Sequence, residues 1–209
     1  MMKKLTVALL AVIICLSFAA FSASAATESL TEVPKGYTGV YTIEDLYCIR
    51  NNLSGNYILM NDIDLAEATA KGGDWDFGGN GWNPIGSNDE YDDLEFSGIF
   101  NGNGHSITGM RIEVTKTPSD AGACIYYGLF SFVSGEVENL TLTGEITSSI
   151  TKQKTIFAGG IAARSSGDIR NCNVKVSVNV KNDCSDSQTF YDVYAGGIVG
   201  WNIGDISHC

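Results

Sequence analysis

A module of constant internal spacing recurs along the second half of the chain, and it limits the fold more than any other feature. Start each copy at Gly98, Gly128, Gly160 and Gly197, and an aliphatic residue follows at once: Ile99, Leu129, Ile161 and Ile198. Ile107, Val137, Ile169 and Ile206 lie nine residues after these glycines, and Met110, Leu140, Cys172 and Cys209 lie twelve after, with no gap in the alignment. A second glycine stands seven residues in, at Gly135, Gly167 and Gly204, each followed by an acid (Glu136, Asp168, Asp205); the first copy departs, with Gly104 one place early. The starting glycines are 30, 32 and 37 residues apart. A fixed unit of about 17 residues is therefore joined by connections of changing length, the signature of a stacked repeat.

Each module reads as strand. Leu140 and Leu142, or Cys172 and Val174, flank the polar Thr141 and Asn173, and this period of two puts one face inward. In the third copy the alternation runs on through Val176, Val178 and Val180, a β-branched stretch with no helical stripe. Units this small bury their apolar face only by stacking on their neighbours, which predicts an all-β fold, a parallel β-helix or solenoid. A propeller blade needs about 40 to 50 residues, more than these spacings offer.

Upstream of the array, residues 26–41 read as a linker, with Pro34 and Gly36 and no periodicity. Residues 42–95 open with Thr42 as helix N-cap and Asp45 three places on, followed by apolar residues at helical spacing, which predicts a short helix over about 43–52. Tyr57 to Leu65 reads as a strand, and a helix before the first strand is placed to cap the exposed end of a stack. A long acidic, glycine-rich loop then runs to residue 95, in which Trp82 is expected to pack. Four modules occupy 96–209, and the last stops at its twelfth position, Cys209. That open final rung predicts a fragment whose end frays or self-associates.

Gly160, Ile161 and Ala162 through Gly167, Asp168, Ile169, Asn171 and Cys172, and again Gly197 to Gly200 through Gly204, Asp205, Ile206 and Cys209, resemble the GLUG repeat of bacterial surface and exported β-helix proteins. Asp62 to Leu65, Trp82 to Gly86 and Phe96 to Ile107 resemble the segment that leads into such repeats. The resemblance implies a right-handed parallel β-helix on a cell surface or in an adhesin-like protein, to which the short N-terminal capping helix and the N-terminal fragment read above are added. It carries over no catalytic residue.

Residues 1–25 have the form of a signal peptide: Lys3 and Lys4, an apolar run from Leu5 to Phe21, then Ala23, Ser24 and Ala25, with cleavage between Ala25 and Ala26. The mature chain is then secreted or at the cell surface and not integral to a membrane. Loss of the two lysines takes the formal charge from −11 to −13. Such acidity disfavours nucleic acid, whose phosphates need clustered Lys and Arg, and favours solubility. Five cysteines remain: Cys48, Cys124, Cys172, Cys184 and Cys209. Their spacing suggests no zinc site. Cys172 and Cys209 share the repeat position of Met110 and Leu140, a core role, and a Cys172–Cys209 bridge stays open.

Candidate chemistry is sparse. Asp74 and Asp76 are the weak calcium candidates: they imitate the start of an EF-hand loop, but Gly78 replaces a ligand and Ile85 stands where the closing acid belongs. A glycosidase needs two carboxyls across a cleft, whereas Asp92, Asp93 and Glu95 share one loop, and Glu136, Asp168 and Asp205 are turn positions. His105 and His208 have turn roles, and Asn139 with Asn171 suggests a polar ladder. Tyr126, Tyr127, Phe157, Phe190, Tyr191 and Tyr194, just before the modules, read as core or stacking residues. The expectation is a non-enzymatic protein without cofactor, structural or adhesive, presenting its repeat loops to a protein or glycan ligand at a surface. The alternative is the non-catalytic part of a larger carbohydrate-active enzyme or exported zinc protease.

Overall fold

Along the repeat array each strand pairs in parallel with the strand four places on. The computed structural model describes residues 29–86, 94–115, 124–150, 155–183 and 191–209. The signal sequence with Ala25 and Ala26, the acids Asp92 and Asp93, Cys184 and Phe190 lie outside them. Three strands come before the array: β1 (Thr38–Val40), β2 (Tyr57–Leu59) and β3 (Ile63–Asp64). They are followed by β4 (Ile99–Asn101), β5 (Ser106–Val114), β6 (Cys124–Tyr127), β7 (Phe130–Val133), β8 (Glu136–Glu138) and β9 (Thr141–Ile150). The series continues with β10 (Thr155–Gly159), β11 (Ala162–Ser165), β12 (Asp168–Arg170), β13 (Asn173–Asn182), β14 (Val193–Gly196), β15 (Val199–Asn202) and β16 (Ile206–Ser207).

Four parallel sheets collect them: β1-β2-β4-β8-β12-β16, β3-β5-β9-β13, β7-β11-β15 and β6-β10-β14. The second and third modules each give one strand to each sheet, the first gives β4 and β5, and the fourth gives β14, β15 and β16, so residues at one module position stand in a column. Phe100, Val137, Ile169 and Ile206 are register partners in the first sheet, as are Ile63, Ile107, Leu142 and Val174 in the second. Ile63, Phe100, Ile107, Val137, Leu142 and Ile169 are all buried. At about 1.5–3 kcal/mol per large apolar side chain, these columns are the main stabilising element. Between them Phe96, Phe100 and Phe130 pack ring against ring, at 4.9 and 5.6 Å.

The first module is out of phase with the gapless alignment. Gly98 stacks on Gly135, the second glycine of the next copy, since Glu136 N–H donates to Gly98 O (2.9 Å) just as Asp168 N–H donates to Gly135 O (3.0 Å). Phe100, not Ile107, pairs with Val137; Ile107 pairs with Leu142, and Met110 with Gly144. The cause is an insertion. Ile85 and Phe96 bridge to Phe130 and Val133, so eleven residue steps in the first copy match three in the second. Asn101 to Ser106 also takes five steps where Glu138 to Thr141 takes three. Gly98 fits either register, as a starting glycine before Ile99 or as a second glycine two places before the apolar Phe100, and only the pairing separates them.

The helix is shorter than its periodicity. α1 (Ile43–Cys48) carries the expected capping box, with Asp45 N–H donating to Thr42 Oγ1 and Thr42 N–H to Asp45 Oδ2, both 3.1 Å. A 3-10 turn over Ile49–Asn51 completes it. Leu46 and Ile49 are buried, and Tyr47 meets Trp75, Phe77 and Trp82. A strand precedes the helix, however: β1 lies within the stretch read as linker and pairs with β2 at the edge of the first sheet. Three residues with a central glycine carry too little alternation to show this in sequence. Pairing satisfies their backbone groups instead, Thr38 N–H donating to Asn56 O at 2.8 Å.

Turns impose the tightest contacts. Gly55, Gly98, Gly135, Gly167 and Gly204 form one column in which a methyl group built on any of the last four would overlap the carbonyl oxygen of the glycine before it. Asn139, Asn171 and His208 hold one left-handed position, with φ of 55°, 53° and 55°, where asparagine and histidine are tolerated better than branched residues. Asn171 Nδ2 donates to Asn139 Oδ1 and Asn139 Nδ2 to Asn101 Oδ1, each at 3.3 Å, so this position also builds a polar ladder. At the last rung Cys209, Ile203 and Ile206 are exposed, and Val174, Val176, Val178 and Val180 of β13 are half-buried.

Gly167→Ala is expected to cost at least about 1–3 kcal/mol, because backbone rather than a mobile side chain must give way. Gly197→Ala, with nothing within 4 Å of the added carbon, is expected to change stability by less than about 0.5 kcal/mol. Urea denaturation of both variants measures the contrast.

Candidate functional site

Outward positions of the two three-stranded sheets bring together side chains from distant parts of the chain. Tyr126, Phe157 and Tyr194 are register partners in β6, β10 and β14. Their rings stack nearly parallel, at 5.5 Å and 11°, then 5.0 Å and 6°. Beside them Phe132, Arg164 and Trp201 are register partners in β7, β11 and β15. The Arg164 guanidinium lies between two rings, 4.8 Å from the Phe132 centroid and 4.5 Å from that of Trp201. Phe157 links the columns, 6.3 Å from Trp201 and 5.6 Å from Arg164. Alternation explains the placement: Ile125 and Tyr127 flank Tyr126, Ser131 and Val133 flank Phe132, and all four flanking residues are buried.

The chemistry of this face is that of contact. Stacked rings use their π faces on each other, and the cation between rings adds about 0.5–2 kcal/mol of attraction per contact as it is desolvated. Solvent meets ring edges along the column and wider exposure at its end, where Tyr194 and Trp201 are each 37% accessible. Burial, then the neighbouring Cys124, raises the Tyr126 hydroxyl above the ordinary tyrosine range. At Tyr194 the cause is different: its hydroxyl donates to Asp192 Oδ2 at 3.1 Å, and that bond holds the proton on. The sequence reads Tyr126, Tyr127, Phe157 and Tyr194 alike as core or stacking residues; the structure stacks Tyr126, Phe157 and Tyr194, with Phe157 buried between its neighbours, and places Tyr127 in the core. The sequence does not single out Phe132, Arg164 and Trp201, although all three stand four residues after a starting glycine. Their types differ too much for a pattern search to notice.

The other sequence candidates sit apart from this face. Glu136 and Glu138 both pair with Arg170 across one rung, Glu138 at 3.1 Å, and Asn101 Nδ2 donates to Glu138 at 2.8 Å. Burial raises the Glu138 carboxyl. His105 lies 3.5 Å from Asp62, which accepts from Ser106 N–H and Oγ–H at 2.7 and 3.0 Å. A shallow groove of about 480 Å3 near the N-terminal end is lined by Tyr41, Glu44, Asp62, Asp64 and Trp75 among others. Among the described residues no group of three or more His, Cys, Asp or Glu could hold a metal ion.

Asp76, one of the two calcium candidates, anchors its own loop. Its oxygens accept from Gly72 N–H (2.8 Å) and Gly81 N–H (2.7 Å), with Arg111 at 3.7 Å, and its side chain is only 5% exposed. Asp74 is exposed and does not share these contacts. Arg111 in turn donates to Thr69 O at 3.0 Å, and its own carbonyl accepts from Trp82 N–H at 2.8 Å. Trp82 is buried and donates from Nε1 to Leu129 O at 3.2 Å, so one carboxylate ties loop to core.

The Gly72 bond, with lesser help from Gly81 and Arg111, holds the Asp76 carboxyl below the usual aspartate range. A depressed folded-state value means that this stabilisation is present above the unfolded-state value and is lost as pH falls through the folded one, below about pH 4. Tryptophan fluorescence is expected to report loosening of the Trp75–Trp82 loop in that acid range, and Asp76→Asn to show it at neutral pH.

Among the described residues no helix is long and apolar enough to cross a membrane. Over 141 residues, 66% of this chain, the sequence is 33% identical to a protein of Evansella cellulosilytica named "Putative Gly-rich membrane protein". The match takes in 14% of that protein, so the chain spans about a seventh of its length. No family model matches the chain. No solved structure matches it either.

Proposed function

We propose that this chain is a right-handed parallel β-helix from an exported or cell-surface protein, with α1 capping its N-terminal end, and that its role is structural and adhesive. The β-helix reading draws on the second and third modules, each of which gives one strand to each of four parallel sheets, and on the resemblance to GLUG repeats. Export draws on the leader-like residues 1–25, and a relative named as a membrane protein is compatible with it.

The observation that carries the adhesive role is the column of Phe132, Arg164 and Trp201 beside Tyr126, Phe157 and Tyr194. Tyrosine, tryptophan and arginine dominate binding hot spots because each offers large contact area, the two aromatics at low cost in conformational entropy. Here neighbouring rungs already hold them in place, so a protein or glycan ligand would meet an ordered surface. Ordering before contact removes part of the cost of association. No catalytic pair enters this reading.

Binding of the purified full chain to a glycan array and to immobilised extracellular-matrix proteins tests it. The expected result is retention on at least one surface, reduced at least about tenfold by Trp201→Ala. Absence of binding to both, or a Trp201→Ala variant that binds like the parent, would remove the adhesive role.

A further inference from the structure

Cys172 and Cys209 follow β12 and β16 at equal distances. Ile169 pairs with Ile206 and Arg170 with Ser207; the bond from Asn171 N–H to Ser207 O (3.1 Å) extends the register toward the two cysteines. The Cys172 N–H donates to Cys209 Sγ at 3.4 Å. Each sulfur also occupies the same site in its own rung: Cys172 Sγ lies 3.3 Å from Arg170 O, two residues back, and Cys209 Sγ lies 3.2 Å from Ser207 O. Residues paired across adjacent strands have Cα atoms about 5 Å apart, inside the range a disulfide spans. Both thiols are free in the structure.

We propose that Cys172 and Cys209 form an oxidative cross-link site, closed by thiol–disulfide exchange with a small disulfide, that fastens the rung of β16 to the rung of β12. The proposed export matters only to the supply of that oxidant. Exchange starts at Cys209, which is exposed while Cys172 is buried. As a thiolate it attacks one sulfur of oxidised glutathione, the S–S bond breaks, and one glutathione thiolate leaves with the electron pair and takes up a proton. The Cys172 thiol then loses its proton and its sulfur attacks the Cys209 sulfur of the mixed disulfide, expelling the second glutathione. Two protein thiols become one disulfide, and two electrons and two protons leave in two glutathione thiols.

The rung being fastened is weakly held. β16 has two residues, and Ile203, Ile206 and Trp201 around it are exposed. The bond would join strands 37 positions apart, where chain entropy favours a link. Burial pushes the Cys172 thiol up to about 12, so it is the slow partner, and the second step is expected to quicken as pH rises past the ordinary thiol range.

The test incubates reduced full chain with oxidised glutathione, maps disulfides by non-reducing peptide mass spectrometry and follows amide exchange. A Cys172–Cys209 peptide in the monomer is expected, with exchange at Val199–Ser207 slowed at least about tenfold and both effects absent in Cys209→Ser. A lasting glutathione adduct on Cys209, a link to Cys48, Cys124 or Cys184, or a linked chain without added protection would overturn the proposal. If the link forms in the tube while chain recovered from its cells keeps both thiols free, export fails and the site stands.

Discussion

A column of five glycines sets how closely successive modules approach. At Gly98, Gly135, Gly167 and Gly204 the turn backbone runs so close to the turn before it that a single methyl group has nowhere to go. Strand spacing in a parallel sheet is set by hydrogen bonds at about 4.8 Å, and turns must keep that spacing for the strands on both sides to stay paired. The Glu136 and Asp168 amides donate directly to the glycine carbonyls behind them. Removing the side chain at this one position therefore permits the register everywhere else. The conformational freedom of the free chain is the cost of glycine here.

Once the register is set, each module position becomes a column of like environments. Inward columns are apolar, and their burial supplies most of the stabilising free energy. Outward columns select other pairings: asparagine on asparagine at the left-handed turn, ring on ring from Tyr126 to Tyr194, and guanidinium between rings at Arg164. A hydrogen bond between exposed amides contributes little alone, about 1 kcal/mol or less. Repetition gives these contacts their weight, because each is made between rungs already held at the right distance. The same geometry brings Cys209 beneath the Cys172 amide.

Much of this was legible in the residues. The module period, the alternation in β9 and β13 and the Thr42–Asp45 capping box all have local causes, and local patterns carry them. The phase of the first module was not legible, since the insertion between Ile85 and Phe96 lets Gly98 pass for a starting glycine when it stacks as a second one. β1 leaves no local pattern, because three residues around Gly39 are organised by β2 rather than by their own sequence. At the outward face, Tyr126, Phe157 and Tyr194 were visible as aromatics, but their stacking depends on pairing across more than thirty positions of chain. Phe132, Arg164 and Trp201 share a place without sharing a chemistry, so only the register unites them.

The stacking of every module depends on that register. Its most direct measurement is the set of inter-strand amide and Hα nuclear Overhauser effects around Val137 in the isotopically labelled full chain. Contacts of Val137 with Phe100 on one side and Ile169 on the other, in the parallel pattern, are predicted. Contacts of Val137 with Ile107, or an antiparallel pattern with either neighbour, would contradict it.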